Sequence, residues 1–124
     1  TMFWLTCPMY VKKVSTLESH GMVKELDKQL QSNKKLNELW SKRQKSYEEE
    51  RNKKYKSSMN LISPDGGVGG TLKSIKCLHS HLADELVTGL NTIGQIVLEN
   101  VGGCNCNEPC VVDGSKNINW RSEW

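Results

Sequence analysis

The residues best suited to chemistry in this chain are its soft donors, five cysteines and three histidines among 124 residues. Cys77, His79 and His81 fall within the stretch IKCLHSHLADEL, Cys104, Cys106 and Cys110 form a C-x-C-x3-C cluster, and Cys7 stands directly before Pro8. Thiolates and imidazoles are the usual ligands of structural zinc, which takes four of them in a tetrahedron. The metal set expected from the sequence is therefore drawn from Cys7, Cys77, His79, His81, Cys104, Cys106 and Cys110. Zinc is the expected cofactor, and an iron-sulfur cluster the runner-up, because histidines lie close to the thiols. Isolated cysteines also serve as small core hydrophobes, a role that suits three of them within seven polar positions poorly.

Helix geometry separates the three candidates of IKCLHSHLADEL. Each helical residue advances by about 100°, and the pattern predicts a helix from about Thr71 to Val87, closed by Gly89. From Leu72 as origin, Ile75, Leu78, Leu82, Leu86 and His79 share one face, which makes His79 a core histidine. Cys77 and His81 then meet on the opposite, polar face and converge on one ion. A helix that begins near Cys77 instead removes this argument and lets Cys77 chelate with His79 from an irregular turn.

Two other function classes stay open. One is an enzyme in which Cys7, Cys77 and a histidine form a nucleophilic or hydrolytic metal centre. In it, GGVGGTLK would offer backbone N–H groups to a phosphorylated substrate at a helix start, although the P-loop and dinucleotide spacings are missing. The other is an interaction module. Residues 11–57 hold 13 Lys and Arg against 7 Asp and Glu, so Lys42, Arg43 and Lys45 are candidate contacts for nucleic acid or another polyanion. Lys alternates with Glu there at helical spacing, which also describes a plain solvated helix.

The elements that must position these groups are helical. Pro8 suits the first helical position, with Val11, Val14 and Leu17 as a stripe and Gly21 as a stop. MVKELDKQLQS gives a second helix, buried through Val23, Leu26 and Leu30. A long third one follows a Ser32 or Asn33 cap and carries Leu36, Leu39, Trp40, Tyr47 and Tyr55, with Trp40 as its anchor and Glu48, Glu49 and Glu50 facing Arg51, Lys53 and Lys54. SPDGGVGG breaks the pattern. NTIGQIVLENVGG gives a short last helix, and a Asp113-Gly114 turn signal could fold a small hairpin around Val112 and Ile118. The expected architecture is mainly α, a small single domain of four to five helices with an irregular Cys-rich tail: residues 1–103 form the helical domain and 104–124 a tail packed on it.

Hydrophobic residues make up 36% and charged ones 25% of the chain, which is ordinary globular usage. No apolar run reaches the roughly 20 residues of a membrane span, and TMFWLTCPMYVKK lacks a signal-peptide pattern. A cytoplasmic location without membrane contact is the expectation, and there thiols or metal ligands are expected in place of disulfides.

FWLTCP, VSTLES, YEEER, GGVGG, KCLHSHLADEL and GLNTIG occur in that order between Thr1 and about Gly94. In these motifs the chain resembles the bacterial family known as domain of unknown function 501. The resemblance implies a small cytoplasmic bacterial protein without an assigned activity, with further sequence ahead of FWLTCP. It singles out Cys7, Cys77 and His79 through their motifs. Relatives usually carry Asn-Pro where this chain has Asn91-Thr92.

Overall fold

The computed structural model describes residues 1–59 and 65–121. Ser63 and Pro64 of the SPDGGVGG breaker lie outside them. The architecture is mainly helical: α1 (Pro8–Ser19), α2 (Met22–Ser32), α3 (Lys34–Met59), a short 3-10 turn (Val68–Gly70), α4 (Leu78–Thr88) and α5 (Thr92–Val101), then a hairpin of β1 (Val111–Val112) and β2 (Ser115–Lys116).

Local chemistry sets most of these boundaries. Pro8 opens α1, where its missing N–H costs nothing. Gly21 turns the chain into α2 with φ of +87°. Asn33 caps α3 by accepting the Leu36 N–H at 3.1 Å. Gly89, at φ of +67°, closes α4, and Asn91 caps α5 by accepting the Gly94 N–H at 2.8 Å. In the tail, Asp113 and Gly114 both take positive φ, the backbone of a type I′ turn, and Val111 pairs with Lys116 and Val112 with Ser115. Ile118 lies past this hairpin and is exposed.

The core gathers Val14 from α1, Leu26 and Leu30 from α2, Trp40 from α3, Leu78 and Leu82 from α4, and Ile93, Val97 and Val101 from α5, with Ile75 ahead of α4. Burying such side chains contributes about 1.5–3 kcal/mol each. Behind them Arg43, 4% exposed, reaches across from α3 to Asp84 of α4 with two parallel bonds, Nε to Oδ2 at 2.9 Å and Nη2 to Oδ1 at 2.8 Å. Arg43 also meets Glu50 at 3.3 Å. Of the three cations that suggested a polyanion surface, only Lys42 and Lys45 face solvent.

The start of α4 departs from the expectation of a helix from Thr71. The helix begins at Leu78, with Cys77 extended before it. Both partners of the bond that would join the Ile75 N–H to the Thr71 carbonyl are engaged elsewhere. The Thr71 carbonyl accepts from the Gly67 N–H and the Gln44 amide, and the Ile75 N–H donates to Asp27 of α2 at 2.8 Å. Leu72 and Leu86 are accordingly exposed, not core.

The glycine turn is built into α3. The Gly66 N–H donates to Glu48, Gly67 to the Thr71 carbonyl, Val68 to Gln44 Oε1 and Gly70 to the Gly67 carbonyl. A side chain at Gly67 would meet Gln44 Oε1 at 2.6 Å, so only glycine allows this approach. Those four N–H groups point into the protein and offer nothing to a phosphate.

Candidate metal centre

Val11, Ser15 and Glu18 lie along one stripe of α1, at spacings of four and three, and this stripe faces the start of α4. Because Cys77 is extended and His79 sits in the first turn, both project toward that stripe. Glu18 Oε1 lies 3.2 Å from His79 Nδ1, and Cys77 Sγ lies 3.9 Å from the same nitrogen. The three ligand atoms all lie within 4.8 Å of one another, the only group of three or more such donors among the described residues. Tetrahedral zinc, with bonds of 2.0–2.3 Å, would place its N and O ligands about 3.3 Å apart and its N and S ligands about 3.5 Å apart.

The hydrogen bonds around His79 fix its orientation. Ser15 Oγ donates its only proton to the Val11 carbonyl at 2.8 Å. His79 Nε2 lies 3.2 Å from that carbonyl and 3.2 Å from Ser15 Oγ, so it faces two acceptors and carries the hydrogen. Nδ1 is left with its lone pair aimed at the Glu18 carboxylate and the Cys77 sulfur. Two lone pairs at 3.2 Å repel unless a positive charge lies between them, either a second proton on the ring or a metal ion. A metal-bound histidine commonly donates its other N–H to a backbone carbonyl, as His79 does to Val11. Both side chains are reachable from solvent, with exposures of 24% for His79 and 29% for Glu18. A cavity of about 240 Å³ opens beside Cys77 and His79, walled by Phe3, Trp4, Leu5 and Val11.

The other candidates are placed elsewhere. His81 is fully buried and reverses the helical-wheel assignment, a consequence of the later start of α4. Its Nδ1 lies 3.2 Å from the Asn91 side-chain oxygen and 3.0 Å from its nitrogen, and the same amide donates to Asp84 at 2.9 Å. Burial pushes the His81 pKa down to about 4, against weaker upward pulls from Asn91, Asp84 and Asp27, so the ring stays neutral. Cys7 and Cys104 meet each other, with sulfurs 3.7 Å apart. Burial pushes the Tyr10 phenol up to about 12, helped by its hydrogen bond to Cys104, and burial raises the Cys104 thiol as well. Cys106 is exposed and Cys110 half-buried in the tail. The residue missing from the sequence-derived set is Glu18. It lies inside VSTLES, but a single carboxylate on an amphipathic helix carries no ligand signature of its own.

Among the described residues no helix is long and apolar enough to cross a membrane. No curated protein and no solved structure matches the chain. The sequence model of the family described as "Protein of unknown function (DUF501)" matches residues 1–99, a span that includes Glu18, Cys77 and His79 and ends before Cys104. With most of its length matched, the chain belongs to that family.

Proposed function

We propose that this protein binds a transition-metal ion, zinc in the first instance, through Glu18, Cys77 and His79, and that the ion fastens α1 to the start of α4. The observation that carries this reading is the meeting of a carboxylate, a thiol and an imidazole lone pair within 4.8 Å, with the far side of the imidazole held by a carbonyl. One oxygen, one nitrogen and one sulfur donor suit zinc, whereas an iron-sulfur cluster is ordinarily held by four thiolates.

A second reading rests on the cavity beside Cys77 and His79. Three protein ligands and a solvent-filled fourth position are the arrangement of catalytic zinc, so the same centre supports hydrolytic chemistry on a substrate whose apolar part lies against Phe3, Trp4 and Leu5.

Elemental analysis of freshly purified protein tests the first reading. About one zinc per chain is expected, retained in Cys104→Ser and lost in Cys77→Ser and His79→Ala variants whose circular dichroism remains helical. Metal-free protein whose melting ignores chelators would sink the proposal, and iron with labile sulfide would replace zinc by the cluster. Cobalt substitution decides the second reading: four protein donors exclude it, and an exchangeable water ligand supports it.

A further inference from the structure

We infer that Cys7 and Cys104 form a redox modification site, a reversible disulfide made by thiol-disulfide exchange with a small-molecule disulfide. The two sulfurs are in contact at 3.7 Å although 97 positions separate them. Closing to a disulfide requires about 2.05 Å, and the exposed tail residue Cys104 is free to make the move. Among the described residues no third cysteine, histidine or carboxylate joins the pair closely enough to complete a metal group. A disulfide needs only the two.

The exchange balances in two steps. Cys104 thiolate, the more exposed of the pair, attacks one sulfur of the small disulfide, breaks its S–S bond and releases one small thiol. Cys7 thiolate then attacks the Cys104 sulfur of the mixed disulfide and displaces the second small thiol. Two electrons pass from the cysteine pair to the oxidant, and the two cysteine protons end on the released thiols. The product ties the tail to the start of α1, between Leu5 and Val11, both of which wall the cavity beside His79. This site shares no atom with Glu18, Cys77 and His79 and stands whether or not they bind an ion.

The test treats the reduced 124-residue chain with oxidised glutathione, alkylates the remaining thiols and maps the linked peptides by mass spectrometry. A Cys7–Cys104 peptide is expected as the main cross-link, removed by dithiothreitol, together with a several-fold slowing of protease cleavage within residues 105–121. Cys7→Ser is expected to stop at a Cys104–glutathione adduct, and Cys106→Ser to form the bridge as before. Cys7 makes no side-chain cap bond to α1, so its replacement leaves the helix intact. Cys104 linked chiefly to Cys106 or Cys110, or Cys7 and Cys104 both open to alkylation after Cys106 has reacted, overturns the inference.

Discussion

Glu18 of α1 accepts the Leu78 N–H at 2.7 Å and so caps α4 from a neighbouring helix. Cys77, at the cap position itself, makes no such bond. One carboxylate therefore begins a helix and faces the His79 ring, and the two roles are separable by substitution.

Glu18→Ala is expected to cost about 1–2 kcal/mol, the usual loss of a helix cap, and to abolish zinc uptake. Glu18→Gln keeps an oxygen for Leu78 but not the charge, so stability falls less while metal affinity still drops. Urea midpoints and a competition titration with a metal indicator read the two effects apart. Equal stability losses in both variants would contradict the capping role.

Asp84→Ala removes the partner of a guanidinium that is 4% exposed. Breaking a buried pair from one side costs about 3–5 kcal/mol, and because Arg43 keeps the exposed Glu50 at 3.3 Å the loss is expected at the lower end of that range. Lys42→Ala, at an exposed position of the same helix, is expected to stay within about 0.5 kcal/mol. Chemical denaturation of both variants checks the contrast, and similar small losses would refute it.

Gly94 lies where α5 crosses α4. A side-chain carbon there would meet the His81 carbonyl oxygen and, at 2.6 Å, the Glu85 Cβ. Alanine is favoured over glycine in a helix by about 1 kcal/mol, yet the clash is expected to outweigh this by about 1–3 kcal/mol of overpacking. Thermal melting of Gly94→Ala decides the sign, and a raised Tm would show that the two helices separate without cost.

His81 has a folded pKa of about 4, below the ordinary histidine value of 6.5. Between those values the unfolded chain binds a proton that the folded chain refuses, so stability falls as pH drops from 6.5 to 4 and levels off below. The slope is about 1.4 kcal/mol per pH unit, or about 3 kcal/mol in all. Denaturation curves across that range, compared with His81→Gln, check it: the same slope in the variant would assign the loss to other groups.

Much of the fold was legible in the sequence because its punctuation is local. Pro8, Gly21, Asn33, Gly89 and the Asp113-Gly114 turn each act within a few residues of themselves, and each marks an element boundary or turn in the structure. The start of α4 was not legible, since Asp27, Glu18 and Gln44 decide it from other helices. That one boundary carries His79 out of the core and His81 into it. Arg43 misled for the same reason: Lys42 and Lys45, close to it in sequence, are solvated, while its partner Asp84 lies 41 positions away. The pairing of Cys77 with His79 was readable only as the alternative to a regular helix, and the part of Glu18 only in three dimensions.

Gln44 of α3 stands in for a backbone neighbour of the turn ahead of Cys77. Its amide accepts from Val68 and donates to Thr71, acting as a stretch of backbone would, across 24 and 27 positions. The segment that presents Cys77 is therefore held in shape from α3, a neighbour in space and not in sequence, so the cradle offered to an ion depends on a helix that supplies none of its donors.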